Sequence, residues 1–255
     1  MTMRESKIGA WFEDESFWSE MYPFMFPEER FRLAEEQIEK VLTLVGYEEG
    51  TVLDLCCGPG RHSIALAKRG IQVTAVDRSE FLLRKAKEEA AKSNLEIEFV
   101  SDDMRHFVRS ESFSLILNML TSFGYFEDKE DDLKVLRNAY QSLKPDGAML
   151  IDIFGKEPLA RRYQATSSTE YGDGVLLIQR HEICEDWTRC RNEWILVKNE
   201  TARTFNFQTR LYSGQEMKEV LQRAGFEEVK VFGDLDGNKY GFDADRLIAV
   251  GRKKL

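Results

Sequence analysis

The chain has 255 residues, and its 45 aspartates and glutamates exceed its 36 lysines and arginines to give a net charge of −9. This length holds one or two domains and is enough to bury a core. An acidic balance disfavours phosphate backbones and anionic membranes as partners, because both attract basic surfaces. We therefore expect neither nucleic acid nor a membrane among the partners of the chain.

The N-terminal 50 residues combine an aromatic segment with an amphipathic helix. The helix is predicted to begin at Pro27 and to end before Gly46, with apolar residues at helical spacing between them. The segment before it has no clear period, but so many large rings must cover another part of the molecule. These rings are Trp11, Phe12, Phe17, Trp18, Tyr22, Phe24 and Phe26.

Short apolar runs then alternate with helical patterns, which predicts parallel βαβ units. We expect a doubly wound, Rossmann-like α/β fold with a seven-stranded sheet. A capping box of Ser213 and Glu216 starts the helix that precedes the last two strands. The predicted strands are Thr51–Leu55, Ile71–Val76, Ile97–Val100, Phe113–Leu117, Ala148–Phe154, Phe226–Phe232 and Leu247–Gly251.

Residues 155–212 do not follow this alternation of strands and helices. Apolar and polar side chains alternate from Phe205 to Tyr212, as they do along a strand with one buried face. The segment is therefore predicted to form a small antiparallel β insertion. Residues 51–154 and 213–255 are left to form the Rossmann-like domain.

The four cysteines do not have the spacing of a disulfide framework or of a metal site. They are Cys56, Cys57, Cys184 and Cys190. No apolar run approaches the roughly 18 residues that span a bilayer, and Met1 to Ile8 lacks the features of a secretory leader. We expect reduced thiols, no metal and a cytoplasmic location.

The strongest local signal is the glycine-containing turn after the first predicted strand, Asp54-Leu-Cys-Cys-Gly58-Pro-Gly60. Such a turn lets a ligand approach the backbone. The dinucleotide fingerprint needs a further glycine where Ser63 stands. The carboxylate of Asp54 would repel a pyrophosphate but suits a cationic ligand. S-adenosylmethionine, which carries an ammonium and a sulfonium and has no phosphate, meets these conditions.

Acidic residues also end the next two predicted strands. Asp77 ends the second, where an ionised carboxylate can accept hydrogen bonds from both ribose hydroxyls. Asp103 follows the third, where it can accept from an adenine amino group while Met104 packs on the ring.

With these motifs the chain resembles the class I S-adenosylmethionine-dependent methyltransferases, in particular the small-molecule branch with its sugar N-methyltransferases and ubiquinone-type enzymes. The resemblance implies S-adenosylmethionine as cofactor and places Asp54 near its methionine ammonium. The family commonly has glycine where Cys56 stands, so the fine geometry of the turn is open. The predicted cofactor-binding residues are Asp54, Cys56, Gly58, Gly60, Asp77, Arg78, Asp103, Met104 and Asn118.

The loop after the fourth predicted strand, residues 118–125, is where this family presents the methyl group. It lacks the Asn-Pro-Pro-Tyr motif of nucleic-acid and protein amide methyltransferases and the Pro-Cys of pyrimidine methyltransferases. A small-molecule acceptor is therefore expected. Tyr125 is the candidate catalytic residue, although related sugar enzymes can hold a histidine at this position. The predicted acceptor-binding residues are Tyr22, Ser122, His181, Arg210 and Tyr212.

Together these features predict an enzyme that transfers a methyl group to a nitrogen or oxygen atom of a small metabolite. We expect it to be a monomer or a homodimer. Residues 1–50 are expected to cover the acceptor, and residues 155–212 to form its lid. Two alternatives stay open: a catalytically silent S-adenosylmethionine-binding regulator, and a nicotinamide-dependent oxidoreductase. The missing third glycine and Asp54 disfavour the second.

Overall fold

A computed structural model describes residues 10–254, and seven of their strands pair in one sheet. These strands are β1 (Val52–Leu55), β2 (Val73–Asp77), β3 (Glu98–Ser101), β4 (Phe113–Asn118), β5 (Leu143–Ile153), β10 (Glu227–Phe232) and β11 (Leu247–Arg252). Their order across the sheet is β3, β2, β1, β4, β5, β11, β10. β11 runs antiparallel to β5 and β10, and the other neighbouring pairs of this sheet are parallel. The predicted seven-stranded fold is confirmed, with boundaries displaced by a few residues.

Helices cover both faces of this sheet. The α-helices of residues 10–254 are α1 (Glu15–Met25), α2 (Glu28–Val45), α3 (Arg61–Lys68), α4 (Glu80–Lys92), α5 (Lys129–Ser142), α6 (Lys156–Arg162) and α7 (Gly214–Arg223). Side chains of α2, α3 and α4 share one buried cluster with Val52 of β1, whereas α5 and α7 pack with Leu53 and Leu55 on the other face. Because successive residues of a strand point to opposite faces, the fully buried β1 contributes to both cores.

A second sheet of four antiparallel strands lies in the predicted insertion. It consists of β6 (Thr166–Tyr171), β7 (Val175–Cys184), β8 (Arg189–Lys198) and β9 (Thr201–Arg210), in that order. The α1 side chains Phe17 and Met21 are buried against Phe205 and Phe207 of β9. Much of the aromatic N-terminal segment therefore covers this second sheet.

Two helices are additions to the predicted elements. The α1 helix contains Pro23 and a run of aromatic residues, which conceal a helical period. The α6 helix has only seven residues and occupies the start of the insertion. Within residues 10–254, no helix has both the length and the apolar character that crossing a membrane requires.

Candidate functional site

A cavity of about 430 Å³ opens at the carboxyl ends of β1, β2, β3 and β4. Strand order reverses between β1 and β4, and the crevice at such a reversal is where open α/β sheets bind ligands. Strand ends and the following turns form its floor. Residues from the N-terminal segment and α2 form its roof, including Phe12, Trp18, Phe26 and Arg30. The volume is typical of a small-molecule site.

Asp77 fixes the turn at the centre of the floor. Its Oδ2 accepts from the backbone N–H of Gly58 at 2.7 Å, and its Oδ1 accepts from that of Ser79 at 2.9 Å. Burial raises the pKa of this carboxyl. A carboxylate has about four acceptor positions, so two hydrogen bonds leave acceptor capacity for a ligand. Asp77 and Gly58 both line the cavity, as the cofactor prediction requires.

Cys56 adopts a backbone conformation that favours glycine. Its φ is +64°, in the left-handed region, and its Sγ lies 3.4 Å from the Sδ of Met104. Burial raises the pKa of the thiol well above its usual range, so the side chain stays neutral. The turn thus keeps the left-handed geometry that glycine would adopt, with the thiol directed against Met104.

The end of β3 contributes an acidic side chain that is already engaged. Arg105 donates to both oxygens of Asp103, and Arg78 lies 3.3 Å from one of them. Burial alone would raise the pKa of Asp103, but these bonds and charges hold it below its usual range. Asp103, Met104 and Arg78 line the cavity, and Leu82 adds apolar surface. The role of Asp103 toward an adenine stays a prediction.

Three residues predicted to bind the cofactor lie behind the cavity lining instead. Asp54 is 1% exposed and accepts a hydrogen bond from Ser63 Oγ at 2.5 Å. Burial raises its pKa to about 6. Gly60 allows α3 to approach α4, since a Cβ there would lie 3.0 Å from that of Ala86. Asn118 is buried and donates to the carbonyl oxygen of Leu55 at 3.2 Å. These residues support the turn and do not line the cavity, so their part in binding the cofactor stays a prediction.

The loop after β4 brings Ser122 and the candidate catalytic residue, Tyr125, to the cavity wall. Trp11 packs edge-on against Tyr125 with 4.8 Å between ring centroids, and Phe12 is stacked at 6.3 Å. Burial raises the pKa of the Tyr125 phenol, so the hydroxyl is protonated at neutral pH. Tyr125 can orient a bound molecule by hydrogen bonding but is a poor base.

Two predicted acceptor-binding residues anchor the insertion. The buried Asp132 of α5 accepts from Tyr212 Oη at 2.7 Å and from Arg210 Nε at 3.0 Å. The polar face of this strand therefore meets an internal carboxylate, and neither side chain lines the cavity. Burial next to Asp132 raises the pKa of Tyr212. These contacts indicate a structural role for both residues, and their contact with an acceptor stays a prediction.

The other two predicted acceptor residues also lie elsewhere. The Tyr22 ring packs against Phe26 and Phe81, with centroids 5.5 and 5.7 Å away. His181 lies on β7 with its Nδ1 2.7 Å from Asn192 Oδ1. Neither lines the cavity, because Tyr22 is on the α4 side of its helix and His181 belongs to the second sheet.

Sequence reasoning did not single out the α2 residues that line the cavity. Arg30, Leu33 and Gln37 of α2 line the cavity at helical spacing, beside the apolar stripe that was recognised. Gln37 Oε1 lies 2.9 Å from Nε2 of the buried His62. Burial, together with the charge of Arg61, lowers the pKa of His62 to about 3, so this ring is neutral.

The side chains that line the cavity suit a nucleoside with a cationic substituent. Asp77 has free acceptor capacity, Asp102 and Asp103 add negative charge, and Val76, Leu82 and Met104 present apolar surface for a planar base. A doubly wound sheet with this site at its strand reversal defines an α/β protein that binds an adenosyl cofactor.

Comparisons with known proteins agree with this class. The family described as "Methyltransferase domain" matches residues 52–147. The putative methyltransferase YqeM of Bacillus subtilis is 25% identical over 211 residues, covering 81% of this chain and 85% of that protein. A glycine/sarcosine N-methyltransferase of Aphanothece halophytica is 26% identical over 216 residues, covering 84% and 80%.

The fold has a similar counterpart among solved structures. The CcbJ methyltransferase from Streptomyces caelestis superposes with a TM-score of 0.75 at 20% identity, covering 86% of this chain and 94% of that one. These findings support a class I S-adenosylmethionine-dependent methyltransferase, and S-adenosylmethionine is its cofactor.

Proposed function

We propose that this enzyme transfers a methyl group to a nitrogen or oxygen atom of a small metabolite. The observation that carries the proposal is the roof of the cavity. Phe12, Trp18 and Phe26 cover it from the side opposite the strand ends. A covered cavity of about 430 Å³, which must hold the cofactor as well, favours a small acceptor over a polymer.

The chemistry asks little of the protein beyond orientation and exclusion of water. Bound S-adenosylmethionine supplies a methyl carbon that is electrophilic because it is attached to a sulfonium. Asp77 binds the ribose hydroxyls in this proposal, and the aromatic roof excludes solvent. Tyr125 and Ser122 orient the acceptor by hydrogen bonding. Orientation in a desolvated site can account for much of the rate of such a displacement.

The names of two relatives support a small acceptor. One acts on glycine and sarcosine, and another is a ubiquinone biosynthesis O-methyltransferase. Their names give nitrogen and oxygen, respectively, as the methylated atom. The comparison therefore supports either atom as the methyl acceptor here and does not distinguish between them.

Labelled S-adenosylmethionine tests the proposal directly. The enzyme is incubated with a whole-cell extract, which is then separated into macromolecules and a small-molecule filtrate. We expect label in the filtrate. Label confined to macromolecules contradicts the proposal. Binding of S-adenosylhomocysteine in calorimetry without any transfer supports the silent regulator, and binding of NADH supports the oxidoreductase.

A further inference from the structure

Two arginines of the second sheet hold the main chain that follows Tyr125. Arg189 begins β8 and Arg210 ends β9, and the two residues are direct partners across these strands. The Arg189 guanidinium donates to the carbonyl oxygen of Phe126 at 3.0 Å and to that of Glu127. Arg210 Nη2 donates to the same carbonyl oxygen of Glu127 at 2.9 Å. The insertion therefore reaches the loop next to the candidate catalytic residue.

The main chain that precedes Tyr125 is held by the same sheet. The backbone N–H of Arg210 donates to the carbonyl oxygen of Gly124 at 2.6 Å. Gly124 has a φ of +91°, and a Cβ there would lie 3.0 Å from the carbonyl oxygen of Arg210. This close approach favours glycine, which has no Cβ and adopts positive φ readily. The backbone of Tyr125 is thus held on both sides by the ends of β8 and β9.

This arrangement places two like charges side by side. Arg189 is 5% exposed, and burial together with the charge of Arg210 lowers its pKa. Asp132 balances Arg210 at 3.0 Å, and Arg189 Nε lies 3.8 Å from a carboxylate oxygen of the exposed Glu185. Like charges directly opposite each other destabilise a sheet, and apolar side chains often replace a buried ion pair without loss of stability. The guanidinium contributes a planar fork of donors that fixes the positions of the carbonyl oxygens.

The link from these arginines to the cavity passes through the loop. Neither Arg189 nor Arg210 lines the cavity, whereas Tyr125 does. The Tyr125 ring is packed by Trp11 and Phe12, and its backbone is held by the arginines. A small displacement of this backbone would move the phenol hydroxyl, and misplacement of an orienting group by about 1 Å can strongly reduce a rate.

We propose that Arg189 is a positioning residue for methyl transfer, because it holds the loop that places the Tyr125 hydroxyl against the acceptor. This inference rests on the proposed function, in which Tyr125 orients the acceptor. Arg189 is the better of the two arginines to test. The loss of Arg210 would also disturb Asp132, which anchors the insertion, whereas the side-chain hydrogen bonds of Arg189 within residues 10–254 go to the loop.

Transfer of label from S-adenosylmethionine to a small-molecule filtrate measures the rate. The filtrate is kept at one concentration while that of S-adenosylmethionine is varied. In Arg189→Gln we expect the maximal rate to fall about tenfold, the effect of one misplaced hydrogen bond. The S-adenosylmethionine concentration at half-maximal rate should stay within about threefold of wild type. Arg189→Lys should recover part of the rate, because its ammonium can still donate to a carbonyl oxygen.

A double-mutant cycle shows whether Arg189 acts through Tyr125. The variant that combines Arg189→Gln with Tyr125→Phe should be about as slow as Tyr125→Phe alone. A residue that positions a hydroxyl has no further effect on the rate once that hydroxyl is absent. Independent effects would instead multiply to a loss of about a hundredfold. Such a loss in the double variant overturns the inference.

Gly124→Ala tests the same link without removing either arginine, and it decides the question if Arg189→Gln does not fold. The added Cβ displaces the loop from β9, so the maximal rate should fall, with no further loss in the Tyr125→Phe background. Arg180→Gln is the matched control, because Arg180 is exposed on β7 of the same sheet and pairs with Glu193 at 2.8 Å. It should have the wild-type rate. Melting curves show at which temperature each variant is folded, and rates are compared below it.

The remaining outcomes separate this inference from the proposed function. A wild-type maximal rate in folded Arg189→Gln overturns the positioning role and leaves methylation of a small molecule intact. A rise of about tenfold or more in the S-adenosylmethionine concentration at half-maximal rate assigns Arg189 to cofactor binding and also overturns it. The absence of label from the filtrate with the wild-type enzyme contradicts the proposed function and this inference together.

Discussion

The backbone N–H of Gly58 donates to Asp77 Oδ2 across 2.7 Å, which joins the turn after β1 to the end of β2. One carboxylate therefore shapes the floor of the cavity and still faces its interior. The ribose assignment and the conformation of the turn depend on the same side chain.

Asp77→Asn tests this double role. An amide has one acceptor oxygen and no charge, and charge-assisted hydrogen bonds contribute about 1.5–3 kcal/mol each. We expect affinity for S-adenosylhomocysteine to fall at least about tenfold in calorimetry. Asp186→Asn, in an exposed hairpin turn, is the control. Equal affinity in wild type and Asp77→Asn would refute the ribose assignment, and a melting curve shows whether the variant is folded.

Tyr125→Phe separates chemistry from cofactor binding. The variant keeps the ring that packs against Trp11 and removes only the neutral hydroxyl. Turnover should fall about tenfold, the loss of one oriented hydrogen bond, while affinity for S-adenosylhomocysteine is unchanged. Tyr163→Phe, which removes a partly exposed hydroxyl bonded to the carbonyl oxygen of His181, should have wild-type turnover. Undiminished turnover in Tyr125→Phe contradicts the assignment.

Asp132→Ala should destabilise the chain by about 3–5 kcal/mol, because it leaves a buried arginine charge without its partner. Asp132 is 0% exposed and binds both Arg210 and Tyr212. Glu130→Ala, two residues earlier in α5, removes an exposed pair with Arg223 and should cost less than about 1 kcal/mol. Urea unfolding measures both variants, and equal losses would show that Asp132 does not anchor the insertion.

Asp54→Asn should gain stability relative to wild type as the pH rises. The pKa of Asp54 is about 6 in the folded chain against 3.8 for the free group. Between these values the native state holds a proton that the unfolded state has released, so the wild type loses stability through this window. The difference should grow by about 3 kcal/mol at most from pH 4 to pH 7.

Urea unfolding of wild type and Asp54→Asn across this pH range measures the difference, and titrations shared by the two proteins cancel. Asp186→Asn serves again as a control, and its difference in unfolding free energy from wild type should not change with pH. If the difference for Asp54→Asn does not change with pH either, the Asp54 carboxyl ionises normally in the folded chain.

At position 56 glycine should be more stabilising than alanine. The left-handed conformation costs a residue with a Cβ about 1–2 kcal/mol, and Cys56 has a φ of +64°. Cys56→Gly and Cys56→Ala both remove the thiol, so their difference isolates the backbone. We expect the glycine variant to be about 1 kcal/mol more stable in urea unfolding. The reverse order would indicate that the turn relaxes without its side chain.

The sheet could be predicted because it follows local periodicity. Each strand is a short apolar run next to a capped or glycine-terminated helix, and the parallel order follows from the crossovers. The cofactor side was partly predictable for the same reason. Strand ends bring Asp77 and Asp103 to one edge, but periodicity does not report depth, so the burial of Asp54 behind the cavity lining could not be predicted.

The acceptor side was less predictable because it depends on contacts between distant segments. Arg210 and Tyr212 have the alternation of a solvent- or ligand-facing strand, yet their partner is Asp132, about 80 residues earlier in the chain. The helical spacing of Arg30, Leu33 and Gln37 was present in the sequence. Only the packing of α2 over the strand ends shows that this face meets a cavity.

The placement of the tryptophans gives the protein an intrinsic optical reporter. Trp18 lines the cavity, and Trp11 contacts the ring of Tyr125, so two of the four indoles have surroundings that ligand binding alters. Trp187 is 44% exposed on a hairpin and supplies a signal remote from the site. Quenching of the exposed indole by iodide leaves the emission of the three more buried indoles, and a change in that emission on ligand addition reports occupancy of the site.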